Sequence, residues 1–216
     1  MAHELNTPLG AISLSAEHGL LQIERGRAEK TAANLKNILE AAQISRLTVA
    51  RLRAYTRPKD KAAPATVIEP AKIIEDALGL LESRLSSSEV ELETSLEDDL
   101  RILMVSIDFY GVVNNLLVNA LDAVGSEPPP RRARVQLKAV GDDVVLTVED
   151  NGPGVSEENS EKIFEAFFTT KDVGRGMGLG LHLCRQFVED ACGTIEVTGS
   201  SLGGACFRVV LPSANR

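Results

Sequence analysis

The chain has 216 residues, is 44% hydrophobic and carries a formal net charge of −8, so it can bury a core while its overall field repels nucleic acids and anionic membrane surfaces. Its three cysteines are odd in number and lack a CxxC spacing, which is typical of thiols in a reducing compartment. No apolar run approaches the roughly 18 residues of a membrane-spanning helix, so we expect no membrane insertion, no nucleic acid partner and a cytoplasmic location.

Residues 1–57 follow the period of a helix. Leu5 and Leu9 begin an apolar stripe that the stretch 24–29 interrupts, and a second stripe begins at Leu35. Two helices alone leave apolar side chains facing water, so this helical hairpin is expected to dimerise into a four-helix bundle. The alternative is that the hairpin packs on the rest of its own chain.

Pro8 interrupts the first stripe within the stretch HELNTPLG. Inside a helix, a proline removes one backbone hydrogen bond and costs about 3 kcal/mol. Local rules instead favour a helix that begins at Pro8, with Thr7 as its N-cap and His3 on a frayed tail. The alternative is a helix that continues through Pro8 and is bent there.

Residues 58–66 combine prolines and charges with few apolar side chains, which predicts a linker. Beyond it the chain alternates between helical and strand-like patterns, with a hairpin turn predicted at Gly141-Asp142. This mixture predicts an α/β sandwich with one mixed or antiparallel sheet and helices on one face. Of these two we expect a mixed sheet, and the whole chain is expected to be α+β. The predicted helices are 70–85, 109–124 and 179–190, and the predicted strands are 90–94, 134–140, 144–150, 194–199 and 206–212.

Asn115 and Asn119 are four residues apart and therefore share one face of an otherwise apolar predicted helix. Asparagines on such a face need hydrogen-bond partners. The pair predicts either a structural hydrogen-bond network or carbonyl oxygens for a magnesium ion that carries the phosphates of a nucleotide.

Asp150 ends a predicted strand and is followed by Asn151-Gly152-Pro153-Gly154. A plain turn explains these residues. The functional alternative places Asp150 on the floor of a pocket, where it accepts a hydrogen bond from an amino group. Gly152 and Gly154 would then let the backbone approach a flat ring closely.

Two further stretches are rich in phenylalanine and in glycine. KIFEAFFTTK (162–171) predicts either core packing or an apolar latch beside a mobile lid, with Lys171 able to reach phosphates. GRGMGLGL (174–181) runs directly into a helix, whose N-terminal N–H groups favour an anion. The glycines fit neither the dinucleotide fingerprint nor a P-loop, and a flexible loop without a ligand is the alternative.

The motifs NNLLVNALDAV, DNGPGV, FEAFFTTK and GRGMGLGL resemble, in order, the asparagine, first glycine, phenylalanine and second glycine boxes of one ATP-binding domain. Bacterial sensor histidine kinases share this domain with type II topoisomerases, mismatch-repair ATPases and heat-shock chaperones. HELNTPLGAI is similar to the phosphoacceptor box of a histidine kinase. The resemblance covers nearly the whole chain, and it implies a helix that runs through Pro8 and is bent there.

The resemblance implies ATP and Mg²⁺ as cofactors and a role for each motif residue. His3 would attack the γ-phosphorus and Glu4 would hold its other ring nitrogen, while Thr7 would orient a water that dephosphorylates the regulator. Asn119 would coordinate magnesium with help from Asn115 in placing the phosphates, and Asp150 would accept from the adenine amino group. The remaining pocket and lid residues would be Gly152, Gly154, Phe168, Lys171, Gly174, Gly176, Gly178, Leu179 and Gly180.

The resemblance also implies an organisation and partners. Residues 1–57 would form an N-terminally truncated dimerisation and phosphotransfer hairpin, 58–66 a linker and 67–216 the ATP-binding domain. The expected function is autophosphorylation of His3 and transfer to an aspartate on the receiver domain of a response regulator. Only two residues precede His3, which predicts a fragment whose sensor segment, with any membrane anchor, belongs to a longer parent chain.

Some positions depart from the commonest family pattern. Asp122 stands where many of these kinases have a basic residue that contacts phosphate, which leaves Lys171 or Arg175 as the candidate cation. Ala191-Cys192-Gly193 replaces a frequent His-Gly-Gly, and Ala205 replaces a frequent threonine near the pocket.

Two other functions compete with a kinase. The first is an ATP hydrolase like the topoisomerase and chaperone relatives, which resemble one another in a glutamate at the position of Asn115. Asparagine cannot act as a base, so the sequence favours transfer over hydrolysis. The second is a non-catalytic dimeric scaffold that binds nucleotide.

Overall fold

The computed structural model of the chain divides into two compact units, Met1–Lys61 and Ala62–Arg216. It describes residues 2–25, 27, 30–31, 34–35, 38, 42, 45, 64–125, 127–169 and 178–214, with only the backbone of 2–8. None of the helices in this part combines the length and apolar character that a membrane crossing needs.

The first unit begins with helix α1 (Ala2–Glu24). The helix is continuous through Pro8, so it does not begin there and the N-cap interpretation of Thr7 is wrong. The continuation of the helix through Pro8, which the family resemblance implied, is confirmed.

A second helical segment follows α1 and packs against it. Lys30, Thr31, Asn34 and Leu35 are among its described residues. Gly19 of α1 is buried, and a Cβ atom added there would lie 3.6 Å from Cβ of Asn34. The pair still leaves apolar side chains in water, since Leu9, Leu20, Ile23 and Leu35 are half exposed or more. A four-helix bundle of two copies remains a prediction.

The second unit is built on a five-stranded sheet with strand order β2-β4-β5-β7-β6. Strands β2 and β4 are parallel, while the β4–β5, β5–β7 and β6–β7 pairs are antiparallel, so the predicted mixed sheet and α+β class are confirmed. Its strands are β2 (Val90–Leu96), β4 (Arg131–Val140), β5 (Asp143–Asp150), β6 (Thr194–Gly199) and β7 (Ala205–Pro212).

A separate antiparallel pair was not predicted. It consists of β1 (Thr66–Ile68) and β3 (Ile102–Met104), which align Val67 with Leu103. Strand β1 begins at the last residue of the predicted linker 58–66, and residues 58–63 of that linker lie outside the described residues.

The described part of the second unit also contains three α-helices: α2 (Pro70–Ser87), α3 (Ser106–Gly125) and α4 (Gly180–Asp190). Helix α2 begins at Pro70, where the missing N–H has no helical partner to lose. Helix α3 is apolar over most of its surface and buries Phe109, Val112 and Leu116 completely or nearly so. These helices pack against β2, β4, β5 and β6.

The two faces of the sheet differ in polarity. Val135, Val148 and Phe207 align across β4, β5 and β7 and are buried, and the helices cover this apolar face. Side chains alternate between the faces of a strand, so the next aligned positions, which include Arg134 and Glu149, belong to the opposite, polar face.

Candidate functional site

Asp150 is the last residue of β5 and is 1% exposed. Its Oδ1 atom accepts hydrogen bonds from the backbone N–H of Gly152 at 2.8 Å and of Ala205 at 3.2 Å. Its backbone carbonyl oxygen accepts a third bond from Gly204 N–H at 3.1 Å. The described part of the chain supplies no hydrogen bond to Oδ2, so the carboxylate has one fixed oxygen and one that remains for a ligand.

Burial raises the pKa of Asp150 above its ordinary value, and the N–H groups of Gly152 and Ala205 offset part of this rise. Desolvation disfavours the charged form, whereas the two donors favour it. The site therefore loses its carboxylate acceptor at a higher pH than an exposed aspartate would.

Gly152 and Gly204 hold the backbone close to Asp150. A Cβ atom on Gly152 would lie 2.8 Å from Cβ of Ala123 on α3, and one on Gly204 would overlap Oδ1 of Asp150. Gly154 has φ +73°, a conformation that glycine adopts without strain. The turn after β5 therefore requires glycine in order to lie against α3.

The asparagine pair lies on α3 beside this turn. Asn119 is one helical turn before Ala123, the α3 residue that Gly152 contacts. Asn115 is buried and Asn119 is partly buried. The structure thus brings the asparagine face and Asp150 together, although the two motifs are 31 to 35 residues apart in the sequence.

Asp122, one turn further along α3, forms an ion pair with Arg84 of α2. Each side chain is about one third exposed. The acidic residue at this position is therefore paired with a cation from a neighbouring helix, a partner that no spacing in the sequence indicates.

Gly178, Leu179 and Gly180 form the entry into α4. Leu179 precedes the helix and is buried, and Gly180 is its first residue. Helix α4 packs on α3, since Sγ of Cys184 lies 4.0 Å from the carbonyl oxygen of Val112. The N-terminus of α4 and the turn after Asp150 therefore both belong to elements that pack on α3.

The phenylalanine stretch divides into a buried anchor and an exposed residue. Phe164 is buried under the guanidinium of Arg185, which lies 4.2 Å from the ring centroid, and the carbonyl oxygen of Phe164 lies 3.1 Å from Nδ1 of His182. Phe167 is 60% exposed. Core packing is confirmed for Phe164, while the apolar latch beside a lid remains a prediction.

Phe167 also joins the two ends of the segment between the phenylalanine and glycine stretches. Its N–H donates to the carbonyl oxygen of Gly178 at 3.0 Å, and both residues have positive φ, +69° and +65°. A Cβ on Gly178 would overlap the backbone of Phe168, which is partly buried. The residues on either side of 170–177 are therefore held side by side.

Several predicted site residues lie outside the described part of the chain. Lys171, Gly174, Arg175 and Gly176 are among them. His3, Glu4 and Thr7 lie on the backbone of α1, but their side chains are outside the described part. The roles given to all these residues remain predictions.

The turn between β6 and β7 also contacts the site, although no sequence motif predicted it. Ser200, Ser201 and Gly204 contact Glu149 or Asp150. The adjacent glycines 203 and 204 before a strand were the available signal, because such a pair often marks close backbone approach.

Comparisons with known proteins identify the family of the chain. A family model described as histidine kinase-, DNA gyrase B- and HSP90-like ATPase matches residues 104–215. The C4-dicarboxylate transport sensor protein DctB of Pseudomonas aeruginosa is 36% identical over 98% of this chain and 34% of its own length. The sensor protein FixL of Bradyrhizobium diazoefficiens is 30% identical over 100% of this chain and 43% of its own length. The chain thus spans about a third to two fifths of these relatives.

Among solved structures, the catalytic domain of the histidine kinase ThkA is similar to this chain with a TM-score of 0.63 and 28% sequence identity. The similarity covers 69% of this chain and 96% of that domain. Because the family model matches more than half of the 216 residues, the chain belongs to the family of histidine kinase-, DNA gyrase B- and HSP90-like ATPases, and it is an ATP-binding core of the sensor histidine kinase type.

Proposed function

We propose that the chain is the kinase core of a two-component sensor. It binds ATP with Mg²⁺, transfers the γ-phosphoryl group to His3, and passes it to an aspartate on a response regulator. The observation that carries this proposal is the buried Asp150, which has one oxygen fixed by two backbone donors and the other available beside the asparagine face of α3.

Adenine recognition would use the second oxygen of Asp150. The exocyclic amino group of adenine is a donor, and a charged acceptor that is already oriented binds it without further ordering. A hydrogen bond to a charged group contributes about 1.5–3 kcal/mol. Gly152 packs closely against Ala123 of α3 and adds no side chain of its own beside the carboxylate.

The residues fit a magnesium ion that enters with the nucleotide. The described residues include no cluster of three His, Cys, Asp or Glu that could hold a metal alone. Mg²⁺ typically keeps several waters and binds one or two protein oxygens together with substrate phosphates. Asn119 would provide the amide oxygen and Asn115 would help to place the phosphates; the bound ion would supply neutralisation of phosphate charge.

Phosphoryl transfer would proceed at His3. One ring nitrogen uses its lone pair to form a bond to the γ-phosphorus, while the bond from phosphorus to the bridging oxygen breaks and ADP leaves with that electron pair. Glu4 holds the proton on the other ring nitrogen. Neutral imidazole is abundant near pH 7 and carries a lone pair on one ring nitrogen, so it can act as the nucleophile.

The first unit supports a homodimer through residues 1–57 and a docking face for the regulator. Leu9, Leu20 and Ile23 fall on one side of α1 and are exposed in the single chain, as expected for a face that a second copy covers. Leu14 and Leu21 are also exposed and share a different side of the helix with positions 3 and 7. A regulator bound there would meet both His3 and Thr7.

Labelled ATP separates this function from its competitors. The protein is incubated with γ-labelled ATP and Mg²⁺, and the label on the protein is tested for stability in acid and base. Phosphohistidine is labile in acid and stable in base, so the wild type should carry such a label and His3→Ala should not. Release of phosphate without labelled protein would indicate a hydrolase, and nucleotide binding without either product would indicate a scaffold. A base-stable label that persists in His3→Ala would contradict His3 as the acceptor.

A further inference from the structure

Glu149 is buried on the polar face of the sheet, one residue before Asp150. Successive side chains of a strand point to opposite faces. The register pairs Glu149 with Arg134 on β4 and with Cys206 on β7. Glu149 therefore lies away from the side on which Asp150 would meet a nucleotide, and the proposed function gives it no task.

The carboxylate of Glu149 nevertheless has several partners. Its Oε1 atom accepts bonds from Oγ of Ser200 at 3.2 Å, from Oγ of Ser201 at 3.2 Å and from the backbone N–H of Ser201 at 3.3 Å. Its Oε2 atom lies 3.3 Å from Nη1 of Arg134, which also donates to Oγ of Ser201 at 3.2 Å. We call Arg134, Glu149, Ser200 and Ser201 the Glu149 clamp.

The Glu149 clamp holds the first two residues of the turn between β6 and β7. This turn, residues 200–204, is closed by a bond from the N–H of Ser200 to the carbonyl oxygen of Gly204 at 2.9 Å. The N–H of Leu202 donates to Oγ of Ser200 at 2.9 Å. The same serine that binds Glu149 therefore also fixes the shape of the turn.

The other end of the turn reaches the nucleotide side of the sheet. The N–H of Gly204 donates to the carbonyl oxygen of Asp150, and that of Ala205 donates to Oδ1 of Asp150. A few residues thus connect the Glu149 carboxylate on one face to the Asp150 carboxylate on the other. If the turn moves, Oδ1 loses the donor of Ala205 and the carboxylate can rotate.

We propose that Glu149 is a positioning residue for adenine recognition: by clamping the turn 200–204, it keeps the N–H of Ala205 on Oδ1 of Asp150 and so directs Oδ2 toward the amino group of the base. The inference rests on the proposed adenine site at Asp150. It adds a residue that never contacts the nucleotide and yet controls discrimination at the base.

The decisive measurement compares the dissociation constants of ATP and of purine riboside triphosphate, which lacks only the exocyclic amino group. The dissociation constant of purine riboside triphosphate divided by that of ATP reports the hydrogen bond to the base. A general loss of structure weakens the binding of both ligands equally and leaves this ratio unchanged. Glu149→Ala should reduce the ratio at least threefold, and Glu149→Gln, which keeps the acceptor for the serines, should restore most of it. An unchanged ratio in Glu149→Ala would overturn the inference.

Glu196→Ala is the matched control. Glu196 lies on the polar face of β6 and pairs with Arg208 at 3.0 Å, and within the described residues it makes no hydrogen bond to the turn 200–204. Its removal deletes an ion pair on the same face and should leave the ratio unchanged. A reduction as large as that of Glu149→Ala would show a general effect of the sheet and would overturn the inference.

Two further variants keep the outcome decisive. Asp150→Asn tests the site itself: if it leaves the ratio of the wild type intact, the adenine site fails and the role of Glu149 falls with it. If Asp150→Asn brings the ratio close to one and Glu149→Ala does not change it, the role of Glu149 alone fails. Should Glu149→Ala not fold, the double variant Ser200→Ala, Ser201→Ala decides, with a reduced ratio expected and an unchanged ratio contradicting the proposal.

Discussion

Replacing Asp150 by asparagine should change ATP affinity and fold stability in opposite directions. Asparagine can keep a carbonyl oxygen at the Oδ1 position, where Gly152 and Ala205 donate, so the turn keeps its two bonds. The second atom becomes an NH₂ group that faces the amino group of adenine. Two donors then oppose each other where a charged acceptor stood.

The size of the loss follows from one hydrogen bond to a charged acceptor, about 1.5–3 kcal/mol. We therefore expect the dissociation constant of ATP to rise about ten- to 150-fold. Titration calorimetry with ATP measures this change, and purine riboside triphosphate serves as the control because it should bind Asp150→Asn and the wild type with similar affinity.

The free energy of unfolding of the unliganded Asp150→Asn variant should be higher than that of the wild type at neutral pH. The pKa of Asp150 is higher in the folded state than its ordinary value because burial disfavours the charge. Between the pKa of Asp150 in the unfolded chain and its higher pKa in the folded protein, the folded protein binds the proton more tightly. The stability of the wild type therefore falls as the pH rises through that window. Neutral asparagine avoids this loss, so the variant should be more stable than the wild type at pH 7, and the difference should shrink at low pH.

Urea unfolding at several pH values tests the stability arm. An unchanged affinity for ATP in a variant that folds normally would refute the adenine assignment. A variant that is less stable than the wild type at pH 7 would refute the account of the buried charge, since the loss of function would then have a structural cause.

Three other substitutions test the remaining parts of the site. Asn119→Ala should remove the benefit of Mg²⁺ for ATP binding and leave adenosine binding nearly intact, as measured by calorimetry with and without the ion; equal losses for both ligands would make Asn119 structural. Gly152→Ala should destabilise the fold by about 1–3 kcal/mol in urea unfolding, because its Cβ meets Ala123. Gly79→Ala is the control: a Cβ there lies in open space on α2 and should stabilise the fold by about 0.5–1 kcal/mol. A Gly152→Ala variant as stable as the wild type would contradict the close packing. Thr7→Ala should keep phosphotransfer but slow dephosphorylation of the regulator about ten- to hundredfold, if one water-orienting bond is lost; loss of autophosphorylation instead would contradict that role.

Long periodic elements were predictable from the sequence, as α3 and β5 demonstrate. The asparagine pair sits in a 20-residue helix, and the predicted strand 144–150 ends at the observed last residue of β5. Strands β1 and β3 were missed because each has three residues, too few to express an alternating pattern. Helix α3 also begins at Ser106, three residues before the predicted start.

Contacts between distant residues could not be predicted. Ser200 and Ser201 follow Glu149 by 51 and 52 residues, and no spacing in the sequence selects that partner for a carboxylate. Phe167 is a second example, because a bulky residue seldom adopts positive φ. Its conformation accompanies the hydrogen bond to Gly178, which joins the described residues on either side of 170–177. Local propensity takes no account of such a distant partner.

The arrangement around Asp150 explains how a buried carboxylate can keep one orientation. The residue after it, Asn151, binds the start of the adjacent strand β4 through both polar side-chain atoms: Oδ1 accepts from Arg132 N–H at 2.7 Å, and Nδ2 donates to the carbonyl oxygen of Pro130 at 2.7 Å. Glu149, the residue before it, binds the turn 200–204. Among the described residues, the carboxylate accepts from the backbone N–H groups of Gly152 and Ala205 alone. Asn151 directly precedes Gly152, and Glu149 binds the turn that leads into Ala205. Specificity for adenine would therefore depend on positions 149 and 151 as well as on Asp150.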